Sequence, residues 1–505
     1  MTILYHFAFI FLLFNTAVFN LHGIDAKLSQ LIENFEKFAE EERLAWKIPG
    51  MAIAITKGND IIFAKGFGQR GLTDKQLVDE NTVFQIGSLS KAFTSALVAI
   101  ADDRKLLKWN DRVIDHLPSF HLYDPWSTSA FQIVDLLCQR SGLPAYGGDT
   151  QAALGFSIDE IIHNLKYIKP VSSFRSEYAY QNSFFSVAAK ILEKKMQATF
   201  PLLLQREIFV PLGMKNSTST LEDYLQTKNR AEWAMRLNDG SIVHLKDNFS
   251  YNEWNYTFGP AGGINSSVKD MAQWIKFQAN RGLVQQKQLI SAENMQRMTR
   301  PEIYASDFEK QPMYYALGWI SMTYSPYPII LHDGSTLGVY NTAAFIPEEQ
   351  LGIVVLSNVR NTRLALALLL QFFDMYYDKS SKNWSQHFLK QAENAKQPPP
   401  APINSFPAMP LDRYAGTYSN QIYGDFLIKE DTKNLVLVTS GKIKQELPLT
   451  HWDRDIFILD WPYSGEEPFK VSFMMNPEGL VSKMDIDAFS REGSGDFIKI
   501  TSDQK

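Results

Sequence analysis

Apolar residues recur at helical spacing from Leu28 onward: Leu28, Leu31, Ile32, Phe35 and Phe38, with charges on the opposite face. That pattern predicts an amphipathic helix to Trp46, stopped by Pro49-Gly50. Met51 to Thr56 and Asp60 to Lys65 are β-rich runs either side of Lys57-Gly58-Asn59, which reads as a hairpin. After Phe84-Gln85-Ile86-Gly87-Ser88-Leu89-Ser90-Lys91-Ala92 the residues Phe93, Ala96, Leu97 and Ile100 return to a 3.6-residue period. A buried helix therefore begins in that stretch, with Ser88 as its expected cap. From Asp102 to about Lys310 the chain reads as mostly helical, with turns at Trp109-Asn110-Asp111 and Ser141-Gly142-Leu143-Pro144. Gly259 to Gly263 is expected to be a tight loop before a helix near Ser266 to Gln278. Strands return at Tyr327 to Leu331, Thr342 to Ile346 and Gly352 to Ser357, and Leu364 to Tyr377 is a long apolar helix. Early strands, a helical middle and late strands predict an α+β domain. Its sheet is flanked by helices, carries a helical subdomain and is closed by joining both ends of the domain.

A second unit follows. Lys396 to Pro410 contains Pro398, Pro399, Pro400, Pro402, Pro407 and Pro410, a composition that favours a stiff, extended spacer. Beyond it short β-runs alternate with turns, at Asp425–Ile428, Leu435–Thr439, Ile456–Leu459 and Lys470–Met474, and predict a small all-β domain, barrel or sandwich. The expected organisation is an N-terminal segment over 1–26, a large α+β domain over 27–395, a Pro-rich linker over 396–410 and a small β-domain over 411–505.

Composition narrows the classes. With 505 residues, 45% hydrophobic and 21% charged, the chain is an ordinary globular protein with room for more than one domain. A net charge of −5 gives no electrostatic reason to expect nucleic acid. The single cysteine, Cys138, excludes an internal disulfide and a thiolate zinc cluster; its apolar neighbours predict that it is buried and inert. Met1 to Ile24 holds no Asp, Glu, Lys or Arg and is strongly apolar at Phe7 to Phe14, as in a secretory signal peptide. An uncleaved anchor is the alternative, because the basic start of a signal is missing. The expected location is exported, periplasmic or secreted, with no integral membrane domain beyond this segment.

Three local patterns carry chemistry. Ser88 and Lys91 lie one helical turn apart, so a hydroxyl and an amine share one face. A serine hydroxyl needs a base, and a lysine in an apolar pocket loses its charge more readily than in water. The spacing S-x-x-K occurs three times in this chain, so alone it also fits a cap beside a solvated lysine. Tyr180-Gln181-Asn182 precedes an apolar run that reads as a buried helix; its phenol can relay a proton and its amide can hold a carbonyl. His332-Asp333-Gly334-Ser335 follows the strand ending at Leu331, and Gly334 would let a ligand approach the backbone. The N–H groups of Ser88 and Ser335 are candidates for an oxyanion hole.

Together, S-x-x-K, Y-x-N and H-x-G in this order resemble the serine β-lactamase and penicillin-binding protein superfamily. The resemblance is to the branch of class C β-lactamases, D-amino-acid-specific peptidases and related esterases. Tyr180 stands where the class A motif set has the serine of S-D-N, and His332 where it has the lysine of K-T-G. Val83 to Gly87, Ser141 to Pro144, Pro260 to Gly263, Leu317-Gly318-Trp319 and Gly338 support the match, which covers about residues 28–380. One departure is visible: relatives often carry a histidine just before the Ser-Gly-Leu turn, and here Gln139-Arg140 occupy that place. Tyr414 to Tyr418 resembles the start of the lipocalin-like β-domain appended to many such hydrolases.

The resemblance implies a β-lactamase-like fold and acyl transfer to Ser88, with Lys91 and Tyr180 sharing the proton. Asn182 would orient the substrate amide, and His332 would position Tyr180 or the substrate. It implies no cofactor and no metal. The substrate would be a small molecule or short peptide: a β-lactam, a D-amino-acid peptide or a small ester. A catalytically weak penicillin- or peptidoglycan-binding protein is the alternative, and a scaffold whose β-domain is the working part is another. An α/β-hydrolase is excluded because no G-x-S-x-G elbow is present. Oligomeric state is left open.

Overall fold

A computed structural model describes residues 26–394, 402 and 405–500, apart from 238, 250, 325, 380, 381, 432, 433, 440, 460 and 462–467. The expected signal segment and most of the Pro-rich spacer lie outside the described residues.

Hydrophobic alternation builds the main sheet. In the strand Gly50–Lys57, Met51, Ile53 and Ile55 join one core and Ala52 and Ala54 the other. Both faces are covered, so the strand is buried almost throughout, as a two-sided sheet requires. It pairs antiparallel with Asp60–Gly68 on one side and with Leu351–Ser357 on the other, which joins the two ends of the domain as expected. The sheet continues through Tyr340–Ile346, Pro328–Ser335, Ile320–Thr323, Gln311–Tyr315 and Ile303–Phe308, eight strands in all. A helix over residues 26–45 and the helix Leu364–Tyr376 cover one face, with Phe35 edge-on to Phe372 at 5.4 Å. The helix Val268–Ala279 covers the other. There Gly352 leaves the room that Ile275 fills; a β-carbon would lie 2.2 Å from its Cγ2.

The helix Ser90–Asp103 is the centre of the helical layer. Twelve of its residues, Ser90 to Ala101, are buried, and Phe93 stacks on Trp274 at 3.9 Å between centroids. The helix Ser183–Met196 packs beside it, as the Phe184-to-Ala189 run predicted.

Several expectations are corrected. Ser88 caps nothing: it sits in the 3₁₀ turn Gly87–Leu89, and neither that turn nor the following helix has a side-chain cap. The main sheet resumes at Ile303, not Tyr327, and short strand pairs such as Trp233–Arg236 with Ile242–Leu245 already interrupt the helical middle. His332 to Ser335 belong to the strand Pro328–Ser335 and do not follow it. Gly259–Gly262 is a short helical turn, and the strand Asn265–Ser267 intervenes before the helix, which Ser267 caps.

The C-terminal domain is a closed eight-stranded barrel. Its first strand, Gly416–Asn420, pairs with its last, Asp496–Lys499, so no edge is left open. Tyr418, Phe426, Phe457, Phe473 and Phe497 fill it. The short helix Asp487–Arg491 interrupts its last two strands and faces the large domain. Among the described residues no helix is long and apolar enough to cross a membrane.

Candidate active site

The site begins with a glycine that the backbone requires. The strand Val83–Gln85 pairs with Asn265–Ser267 and delivers the chain to Gly87, whose φ is +55°. A β-carbon there would lie 2.7 Å from both the nitrogen and the oxygen of Ser335. One at Gly334 would lie 1.9 Å from the Ile86 carbonyl oxygen. Two glycines thus let the turn of Ser88 and the strand of His332 close on each other, which brings the Ser88 and Ser335 backbones together.

One turn into the helix, Lys91 is fully buried. Its Nζ lies 3.1 Å from Ser88 Oγ, 2.7 Å from Asn182 Oδ1 and 3.1 Å from the Ala261 carbonyl oxygen. Burial pushes the amine down to about 7, against the pull of the Asp149 carboxylate. A neutral amine has two hydrogens and one lone pair. Asn182 Oδ1 and the Ala261 carbonyl can only accept, so they take the two hydrogens, and the lone pair faces the Ser88 hydroxyl.

Tyr180 shares this contact. Its phenol faces Ser88, and its ring lies 4.6 Å from Lys91 Nζ. Burial holds that phenol well above its ordinary value, so it is a neutral donor and not a phenolate. Asn182 is almost fully engaged, its Oδ1 with Lys91 and its Nδ2 donating to Asp149 Oδ2 at 2.6 Å. It orients the base at least as directly as it could orient a substrate.

His332 makes no hydrogen bond to Tyr180. Its Nδ1 lies 2.6 Å from the Asp333 carbonyl, which fixes the proton there, and its Nε2 accepts from Tyr315 Oη at 3.0 Å. Burial, then the nearby Lys91 charge, push the imidazole down to about 3, so it stays neutral. It touches Tyr180 only by packing, with ring centroids 6.3 Å apart. Gln139, just before the Ser-Gly-Leu turn, is engaged twice: its Oε1 accepts from Gln181 N at 2.6 Å and its Nε2 donates to Gln181 O at 3.2 Å. That clamps the backbone between Tyr180 and Asn182. Cys138 is buried, with its thiol pushed up, as expected.

Sequence reasoning missed Asp149, the Ala261 carbonyl and the barrel's share of the site. A cavity of about 640 Å³ opens on Ser88, Tyr180 and His332. The large domain supplies Tyr146, Tyr178 and Trp254 to its wall, and the barrel supplies Trp461, Phe469 and Phe489.

Residues 31–370 match the Beta-lactamase family. The chain belongs to that family. Residues 400–497 match a second family, described as a domain of unknown function (DUF3471). Among curated relatives, the unguisins hydrolase ungD' of Aspergillus campestris is 27% identical over 90% of this chain and 89% of its own length. A second unguisins hydrolase, from Aspergillus violaceofuscus, is 27% identical over 77% of this chain and 75% of its own. Protein flp of Staphylococcus aureus is 24% identical over 65% of this chain and 63% of its own. An octameric penicillin-binding protein homologue from Pyrococcus abyssi superposes with a TM-score of 0.62 at 21% identity, over 90% of this chain and 98% of its own. That likeness bears on the fold: a β-lactamase-like domain with a β-barrel behind it. The family and the relatives named as hydrolases support serine hydrolase chemistry.

Proposed function

We propose that this Beta-lactamase family member hydrolyses an amide or ester through an acyl-enzyme on Ser88. What carries the reading is the buried Lys91 amine 3.1 Å from the Ser88 hydroxyl, with acceptors at its two other polar contacts. Ser88 attacks the substrate carbonyl as its proton passes to Lys91. Tyr180, a neutral phenol facing the same oxygen, hands a proton to the leaving group and is recharged from Lys91. The Ser88 and Ser335 N–H groups receive the developing oxyanion, each worth about 3 kcal/mol. Water then attacks the acyl-enzyme by the reverse proton path. His332, held neutral, shapes the cavity beside Tyr180 and takes no proton.

The substrate is a small molecule or short peptide that fits an aromatic-walled cavity of about 640 Å³. A D-amino-acid peptide, a β-lactam and a small ester are all compatible. The related unguisins hydrolase shares nearly the whole chain, both domains included. Unguisins therefore join a chromogenic cephalosporin, a D-alanyl peptide and a short-chain nitrophenyl ester in a turnover panel. Export, directed by the N-terminal segment, places the enzyme outside the cytoplasm in this proposal. The test is Ser88→Ala assayed on that panel. Turnover of the best substrate is expected to fall by about 10³-fold or more with an unchanged circular dichroism spectrum. Undiminished turnover would defeat the assignment.

A further inference from the structure

The short helix Asp149–Ala153 begins after Gly148, which has a φ of +95° and no side chain to cap the first turn. A carboxylate from the other domain does it instead. Glu492, just past the barrel helix Asp487–Arg491, is 8% exposed. Its two oxygens lie 3.2 and 3.1 Å from the Thr150 nitrogen, and it also accepts from the Thr150 hydroxyl and the Gly148 N–H. From the same turn Asp149 holds Asn182 at 2.6 Å, and Asn182 holds Lys91 at 2.7 Å. A line of hydrogen bonds therefore runs from the barrel to the amine behind Ser88.

We propose that Glu492 is a positioning residue for Lys91, by which the barrel fixes the Asp149 turn, the Asn182 amide and so the direction of the amine. The proposal rests on the assignment of Ser88 and Lys91 given above. Deleting this anchor leaves the cavity's own chemistry in place but loosens the group that holds the base.

The charges along the line make the role measurable. Glu492 faces Asp149 and Thr150 on the turn and Tyr423 in the barrel, whose Oη lies 3.5 Å away. Its neighbour Arg491 pairs with Asp487 at 3.6 Å. Lys91 faces Ser88, Tyr180, Asp149 and His332. Burial pushes the Asp149 carboxyl up to about 7; burial and the Asp149 charge push Glu492 up to about 8. Two adjacent buried acids titrate as a pair, so a charge on one suppresses the charge on the other. Asp149 ionises first and its charge keeps Glu492 protonated, so glutamine at 492 leaves the local charge unchanged and removes an oxygen from the turn it holds. A turn less firmly held lets the Asp149 carboxylate draw away from Lys91, whose ammonium it stabilises, and the pH at which the base becomes free moves downward.

The test is the rate of fluorophosphonate acylation of the full chain against pH, with kinact and KI separated. Wild type, Glu492→Gln, Thr150→Val and Ser88→Ala are compared. Glu492→Gln is expected to lower kinact about tenfold, to leave KI unchanged and to move the acidic limb to lower pH. Thr150→Val keeps the N–H and loses one donor; it is expected to move the same quantities less far, and it decides the matter if Glu492→Gln does not fold. Wild-type kinact and limb in the variants, a loss carried by KI alone, or a lower kinact with an unmoved limb would each overturn the proposal. Labelling of Ser88→Ala at the wild-type rate would instead overturn the nucleophile. An unlabelled Ser88→Ala beside a wild-type Glu492→Gln would overturn only the role of Glu492.

Discussion

At the scale of single residues, the proposed mechanism rests on a count of hydrogens. Asn182 Oδ1 and the Ala261 carbonyl accept two hydrogens of Lys91, while burial favours the neutral amine that can take a third from Ser88. An arginine in its place would remain charged at any working pH and could accept nothing. Lys91→Arg is therefore expected to lower kcat at least about 10²-fold on any substrate that turns over, while Ser88 remains intact in a mass spectrum. Near-normal kcat would show that another group takes the proton. Ser88, Lys91, Tyr180, Asn182 and His332 were legible in the sequence because each sits in a short, ordered pattern. Their roles were less so. His332 is a structural acceptor for Tyr315, and Tyr180 is held neutral; both follow from burial, which a local pattern does not report. Ala261 acts through its backbone carbonyl, which every residue has, and Asp149 has no spacing that marks it.

At the scale of elements, the closeness of the Ser88 turn to the strand Pro328–Ser335 decides whether these residues meet. Gly334 is required by the Ile86 carbonyl, which leaves no room for a β-carbon. Gly334→Ala would force the two elements apart and is expected to cost about 2 kcal/mol or more of stability, along with most of the activity. A thermal melt and kcat on the same preparation check this; a wild-type melting temperature would mean that the strand can shift without penalty. The central strands were readable as long apolar runs because both of their faces are buried. The edge strand Ile303–Phe308 and its neighbour Gln311–Tyr315 were not, because their half-exposed residues alternate with Ser306, Asp307 and Gln311 and never form such a run.

At the scale of the whole molecule, the barrel is a wall of the site. Gln445 Nε2 donates to Tyr251 Oη at 2.5 Å and Trp461 Nε1 donates to it at 2.6 Å, so one phenol of the large domain anchors two barrel residues. Tyr251→Phe removes both bonds and leaves two donors without a partner at the boundary. It is expected to lower the unfolding temperature by an amount equivalent to about 1–3 kcal/mol and to raise KM more than it lowers kcat. An unchanged melt and KM would mean that the barrel is held elsewhere. None of this boundary was legible in the sequence, since single bonds between residues such as Tyr251 and Trp461 leave no periodic trace. The barrel's existence was legible, because short strands and turns are local.

The pH dependence of Ser88 acylation, followed by intact-protein mass and mapped to the modified residue, tests the neutral lysine most directly. Burial lowers the Lys91 amine to about 7, so the ammonium that cannot act as base prevails below that pH and the free amine above it. A single adduct on Ser88, forming faster as pH rises through one ionisation near 7, is the expected result. An adduct on another residue, or a rate that climbs only toward the ordinary range of a lysine in water, would contradict it.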